Sequence, residues 1–95
     1  TKNRLGAVAV VDNSKIVGII TDGDFRRMLE QYQHIEQLRA ADIMGKNPKV
    51  IDYKELAVHA LDMMRNNNIT QLLAVKDDTY FGIIHLHDLL KEGII

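Results

Sequence analysis

The chain has 95 residues and a net charge of −1 at neutral pH, with 46% hydrophobic and 26% charged residues. These values are typical of a globular domain, and the near-neutral charge argues against binding to nucleic acid or to an anionic membrane. The absence of cysteine excludes disulfides, thiol catalysis and cysteine metal ligands within this sequence. No apolar stretch approaches the ~18 residues of a membrane span. No signal peptide is visible, which says little for a sequence that resembles an excised piece, and the cytoplasm is the default expectation.

The first predicted elements are a β-hairpin and a helix. The apolar stretch from Leu5 to Val11 is typical of a buried strand, and a second strand is predicted from Lys15 to Ile20 after a polar turn. A helix is expected over residues 22–31. Its apolar spacing predicts a buried stripe made of Phe25, Met28 and Leu29.

A linker at residues 33–40 is predicted to precede a second set of elements. Residues 46–51 contain the single proline and predict a bend followed by an edge strand, because proline cannot donate to a central ladder. The Asp52-x-x-Glu55 pattern predicts a capping box for a helix that ends near Asn66. The residues of this helix predicted to face inward are Leu56, Ala60, Met63 and Met64.

The chain is predicted to close with another hairpin and helix. Strands are expected at residues 69–75 and 80–84, around an Asp-Asp-Thr turn at 77–79. The last helix is predicted to begin near Leu86 and to end at Gly93.

An internal repeat relates the two hairpins and the helices that follow them. The segment Gly18–Arg27 recurs as Gly82–Lys91, at an offset of 64 residues that also pairs Asp24 with Asp88. The full unit is strand, helix, strand, strand, helix, which predicts a mixed α/β (α+β) fold. By this offset the first unit lacks its opening strand and helix in the given sequence. We expect another chain to cover the apolar faces that are left.

The junction of strand and helix in each copy is the candidate ligand site. Thr21-x-x-Asp24 has the form of a capping box, which alone explains both residues. The same hydroxyl and the helix amides also suit a phosphate, and the carboxylate suits a ribose diol. Arg26 and Arg27 are either solvated or placed to meet a phosphate.

The repeated Gly-Ile-Ile-Thr-x-x-Asp pattern at Gly18–Asp24, the opening segment Asp42–Met44 and Pro48 together resemble a tandem pair of CBS domains. The resemblance implies two β-α-β-β-α repeats related by a pseudo-two-fold axis, the first incomplete, at residues 1–32 and 41–95. It also implies binding of an adenine nucleotide or related ligand in the cleft between the repeats, and regulation of a fused enzyme or channel.

Two segments, Thr21–Arg27 and His85–Ile94, are similar to the C-terminal CBS pair of D-arabinose-5-phosphate isomerases. This resemblance implies a module of an enzyme that interconverts D-ribulose 5-phosphate and D-arabinose 5-phosphate for Kdo, lipopolysaccharide and capsule synthesis. A sugar-isomerase (SIS) domain would precede it and carry the catalysis, and CMP-Kdo is a further candidate ligand. The expected partner is another copy, in a homodimer or tetramer.

The nucleotide site of the CBS family can be carried over to matching positions. Thr21 and Asp24 match the hydroxyl and ribose-binding acid of the first repeat, Asp88 matches the acid of the second, and His85 departs from the usual Thr or Ser. The candidate ligand-binding residues are Thr21, Asp24, Arg26, Arg27, Asn47, Val50, His85, His87 and Asp88.

Three alternatives stay open beside ligand sensing. The module could serve oligomerisation alone and bind nothing. His85, His87 and Asp88 could hold a metal, but the two histidines straddle a strand-to-helix junction, so we expect no metal site. The same histidines could instead face the catalytic domain, where their titration near neutral pH would modulate the contact. Catalysis within this chain is not expected, because its only serine, Ser14, lies in a turn.

Overall fold

The computed structural model describes residues 6–91 and 93. The chain divides into two compact units between Pro48 and Lys49. The predicted start of the first strand at Leu5, and Glu92 and Ile94 of the second motif, lie outside the described residues. Among the described residues, none of the helices combines the length and the hydrophobicity of a membrane span.

The first unit contains a three-stranded antiparallel sheet in the order β1-β2-β3, with two helices. Its elements are β1 (Ala7–Asp12), β2 (Lys15–Thr21), α1 (Asp22–Gln31), α2 (Ala40–Ile43) and β3 (Gly45–Lys46). The hairpin and the limits of α1 confirm the sequence prediction. The compact unit reaches into the segment assigned to the second repeat by sequence, and the repeat limits themselves stay a prediction.

The second unit contains a mixed sheet in the order β4-β5-β6, in which β4 runs parallel to β5 and β5 antiparallel to β6. Its elements are β4 (Val50–Asp52), α3 (Ala57–Asn67), β5 (Gln71–Lys76), β6 (Thr79–His85) and α4 (Leu86–Lys91). Helix α3 provides the crossover that two parallel neighbours require. The edge position of β4 agrees with the prediction from the proline before it.

The two hairpins share the same register and irregularities. Ala7 pairs with Thr21 as Gln71 pairs with His85, and each ladder has one register shift, after Val10 and after Ala74. Each hairpin turns through two residues with positive φ, as two-residue turns of type I′ require. These residues are Asn13 and Ser14 in the first unit, and Asp77 and Asp78 in the second. The repeat predicted from sequence is therefore also a repeat of backbone geometry.

The core of the second unit lies between α3, α4 and the sheet. The buried cluster comprises Ile51, Ala60, Leu61, Met64, Leu72, Ala74 and Leu89. Ala60 and Met64 were predicted to face inward, and Met63 packs against the cluster, but Leu61 was missed. Leu56 was wrongly predicted to face inward: α3 begins at Ala57, so Leu56 is the N-cap and is 62% exposed.

The predicted capping box at the start of α3 is also absent from the described structure. The Lys54 N–H donates to the Asp52 Oδ1 (2.8 Å), and the Glu55 N–H donates to the Asp52 carbonyl (3.0 Å). Asp52 thus closes a local turn before the helix, which is the alternative that Asp side chains offer to capping.

The predicted buried stripe of α1 is not buried in the first unit. Phe25 is 44% exposed and Leu29 is 63% exposed, while Met28 is half-buried. Leu89, which lies at the position equivalent to Phe25, is 7% exposed. The physical reason is that α4 packs against α3, whereas α1 makes its main contacts with β2 and the short helix α2 within the described residues.

Candidate functional site

The first strand-to-helix junction forms the capping box that its sequence predicts. Thr21 has extended backbone and is the N-cap of α1. Its N–H donates to the Asp24 Oδ2 (2.8 Å), and the Asp24 N–H donates to the Thr21 Oγ1 (3.3 Å). The Thr21 hydroxyl also donates to the Asp24 Oδ2 (3.1 Å). The N–H groups of Thr21 and Asp24, which the helix itself leaves unpaired, thereby gain hydrogen-bond partners.

Both oxygens of Asp24 have partners in the chain itself. Oδ2 is held by Thr21, and Oδ1 is contacted by the Arg27 Nη2. The Asp24 side chain is 11% exposed, whereas the Arg27 side chain is 60% exposed. Since the Arg27 guanidinium lies largely in solvent, its ion pair with Asp24 contributes little to stability, and Arg27 can leave Asp24 at low cost. The Thr21 contacts would stay in place as it does so.

A polar cavity of about 350 Å³ adjoins this junction within the first unit. One wall comes from α1, through Asp24, Arg27 and Gln31, and the other comes from α2 and the residues after it, through Asp42 and Met44. Its size falls within the range of small-molecule sites. The cavity therefore places a carboxylate and a guanidinium beside a space that could hold a polar ligand.

The second junction is capped by an imidazole. The His85 Nδ1 accepts a hydrogen bond from the His87 N–H at 3.0 Å, so the ring proton lies on Nε2 in this arrangement. Asp88, the equivalent of Asp24, is exposed, and its side chain forms no hydrogen bond with the described part of the chain. Because His85 stands where the family usually has Thr or Ser, the capping atom is an imidazole nitrogen. The Asp88 carboxylate takes no part in this cap.

A mostly apolar cavity of about 370 Å³ lies beside this second junction. It is lined by residues of α3, the segment between α3 and β5 and the first residue of α4, among them Leu61, Arg65, Thr70 and Leu86. The Leu86 N–H donates to the Thr70 carbonyl (2.8 Å), as the Asp22 N–H does to Gly6 (3.1 Å).

Sequence reasoning missed Arg65 and Thr70 as lining residues of that cavity. No motif marks them, because Arg65 resembles any exposed helical arginine. Only the position of Thr70 could have indicated its role, because Thr70 directly precedes β5 and lies beside the strand-to-helix junction.

The structure brings together only some of the predicted site residues. Thr21 and Arg27 both contact Asp24, and His85 contacts His87. The others are exposed and line neither of the two cavities: Arg26, Asn47, Val50 and Asp88. Asn47 has a φ of 54°, so it serves the turn between β3 and β4. Across residues 6–91 and 93, no three His, Asp or Glu side chains converge as metal ligands would.

Known proteins are similar to this chain in sequence and in fold. A family model described as CBS domain matches residues 1–31 and 40–94. The protein RP505 of Rickettsia prowazekii is 44% identical over 94 residues, which cover 98% of this chain and 29% of that protein. The arabinose 5-phosphate isomerase KdsD of Salmonella typhi is 38% identical over 96 residues, covering 100% of this chain and 29% of that enzyme. The chain thus spans less than a third of these relatives.

A solved structure supports the same assignment. The CBS domain pair of protein MJ0100, in complex with 5′-methylthioadenosine and S-adenosyl-L-methionine, superimposes with a TM-score of 0.78 at 28% identity. The match covers 95% of this chain and 73% of that one.

Proposed function

This chain belongs to the CBS domain family, and we propose that it is the ligand-sensing regulatory module of a sugar-phosphate isomerase. Support for the isomerase comes from relatives named arabinose 5-phosphate isomerase, which align with the whole chain. The proposed reaction is the interconversion of D-ribulose 5-phosphate and D-arabinose 5-phosphate in the cytoplasm, for Kdo, lipopolysaccharide or capsule synthesis. A sugar-isomerase domain in the rest of the protein would carry it out.

The observation that carries the sensing proposal is the first junction with its cavity. A helix N-terminus attracts anions, and here it lies beside a nearly buried carboxylate and an exposed guanidinium. On binding a nucleotide, Arg27 exchanges Asp24 for a phosphate, which it can meet in bidentate geometry. Asp24 then keeps Oδ2 on Thr21 and offers Oδ1 to a ribose hydroxyl. The adenosine-based ligands of protein MJ0100 support this class of ligand.

A thermal-shift panel on the full-length protein tests the proposal. We expect one of AMP, ADP, ATP, CMP and CMP-Kdo to raise the melting temperature, because a ligand at a hundred times its Kd adds about 2.7 kcal/mol. The same ligand should change isomerase activity. If none of the five shifts the melting temperature at millimolar concentration, the sensing proposal fails.

A second candidate function is assembly without a ligand. The observation in its favour is a number of exposed apolar side chains on helices and helix ends, among them Phe25 (44%), Leu29 (63%), Leu56 (62%) and Leu90 (51%). Where such side chains form a contiguous apolar patch on a unit, the patch marks a site of contact with a partner. Light scattering at micromolar concentration tests the candidate: a dimer or tetramer supports assembly, and a monomer refutes it.

A further inference from the structure

One acidic residue that lines the polar cavity of the first unit, Asp42, has no part in the ligand contacts proposed above. It is the third residue of α2, on the wall of the cavity that faces α1. Its Oδ2 accepts a hydrogen bond from the Arg39 N–H (2.8 Å), as the third residue of a helix does in a capping box. Its Oδ1 has no hydrogen-bond partner among the described residues. Capping therefore uses one oxygen of Asp42 and leaves the other available for a further contact.

The charges that line this cavity are unequal in number. Among its described lining residues, two carry a carboxylate, Asp24 and Asp42, and one carries a guanidinium, Arg27. That guanidinium is already paired with Asp24. The N-terminus of α1 adds only a partial positive charge. The cavity can therefore neutralise one phosphate group, by turning Arg27 from Asp24 to the ligand.

The cavity also has little room for a long chain of phosphates. Its volume of about 350 Å³ lies near the lower end of the range for small-molecule sites, ~300–1,000 Å³. A second or third phosphate would lie beside the carboxylates of Asp24 and Asp42 after Arg27 has met the first. Like charges brought together at a binding site are unfavourable, and binding sites use them to reject a wrong ligand.

We propose that Asp42 is a specificity-determining residue, which restricts the ligand of this cavity to nucleotides with a single phosphate. The inference rests on the proposed sensing function and goes beyond it, because that function leaves the number of phosphates open. The Asp42 Oδ1 accepts a hydrogen bond from a hydroxyl or amino group of the ligand. With a diphosphate or triphosphate, the same carboxylate faces a phosphate that no cation of the cavity neutralises.

Titration calorimetry on the full-length protein tests this restriction with two matched pairs of probes. AMP is compared with ATP, and CMP with CTP, in buffer without divalent cations, so that only the number of phosphates differs within a pair. In the pair that binds more tightly, we expect the monophosphate to have a Kd about tenfold or more below that of the triphosphate. In the Asp42→Asn variant this ratio should fall by about tenfold, because the triphosphate no longer meets the second carboxylate.

Three variants show whether the charge of Asp42 is responsible. Asp42→Asn keeps an oxygen that can accept from Arg39, so we expect it to stay folded, which circular dichroism checks. Asp42→Glu keeps the charge, and glutamate is common at this position of a capping box, so the preference for the monophosphate should remain. Asp62→Asn removes the same charge from an exposed position on α3 that does not line the cavity, and should leave the ratio unchanged.

The other outcomes overturn the inference. If the triphosphate binds as tightly as the monophosphate, or if the ratio is the same in Asp42→Asn as in the unsubstituted protein, Asp42 does not select the ligand, while ligand sensing stands. If none of the four nucleotides binds at millimolar concentration, the inference fails. The thermal-shift panel then decides separately whether the sensing function fails with it.

Discussion

At the scale of single residues, the two junctions differ in the atom that caps the helix. The Thr21 Oγ1 accepts from the third residue of α1, whereas the His85 Nδ1 accepts from the second residue of α4. A hydroxyl can donate and accept together, and Thr21 does both with Asp24. Thr21 therefore organises the carboxylate as well as the helix end.

Removal of that hydroxyl should destabilise the first unit. We expect Thr21→Ala to lower the free energy of unfolding by about 1 kcal/mol, the usual cost of losing an N-cap. Thr21→Ser keeps the oxygen and should stay within ~0.5 kcal/mol of the unsubstituted protein. Urea denaturation followed by circular dichroism measures both. Equal stability of the alanine and serine variants would contradict a capping role.

A second residue-scale prediction concerns the start of α3. The hydrogen bond between the His59 Nδ1 and the Glu55 Oε1 (2.5 Å) lowers the pKa of Glu55 below 4.5, and a hydrogen bond from the Leu56 backbone lowers it further. A carboxyl with a depressed folded-state pKa stabilises the fold above its unfolded value, and this stability is lost as pH falls through the folded value. The effect is small because both side chains are exposed.

The Glu55→Gln variant should be less stable than the unsubstituted protein near neutral pH. The difference in free energy of unfolding between the two proteins should become smaller as pH falls. Urea midpoints between about pH 6 and pH 3 measure this difference. Asp62→Asn, an exposed change on the same helix, serves as the control. A difference between the Glu55→Gln variant and the unsubstituted protein that stays constant with pH would show that Glu55 is not coupled to folding.

At the scale of elements, the sequence predicts local geometry well and burial less well. The hairpin turns and α1 follow from residues whose preferences act within a few positions, such as Asn13 and Ser14. Leu61 and Phe25 are different, because their burial depends on which element packs against the helix. Leu61 is 5% exposed because α3 packs against both the sheet and α4. Apolar spacing alone cannot supply that information.

The contrast between Phe25 and Leu89 gives an element-scale prediction. Leu89→Ala should cost about 2–5 kcal/mol of stability, because it opens a cavity in the core of the second unit. Phe25→Ala should cost about 1 kcal/mol or less in the 95-residue chain, because the side chain is already 44% exposed. Chemical denaturation of the two variants measures the difference. Equal losses would show that a partner covers α1 in solution.

At the scale of the whole molecule, the internal repeat carries most of what the sequence reveals about the candidate site. The offset locates both junctions and the pair Asp24 and Asp88, and the structure confirms the matching strand register. The offset does not reveal the ion pair between Arg27 and Asp24, since that contact depends on the rotamer of the exposed Arg27 side chain. It also treats the two acids as equivalent, although their surroundings differ in burial and in hydrogen bonding.

That inequality leads to a prediction about ligand binding in the full-length protein. Asp24→Asn should weaken binding of the nucleotide identified in the thermal-shift panel by about tenfold or more. A charged hydrogen bond to a ribose hydroxyl contributes about 1.5–3 kcal/mol. Asp88→Asn should have a smaller effect, because no cap orients Asp88. Titration calorimetry with the nucleotide identified in the panel measures both, with Asp62→Asn as control. A larger loss from Asp88→Asn than from Asp24→Asn would move the site to the second junction, where an imidazole replaces the hydroxyl and the adjoining cavity is mostly apolar.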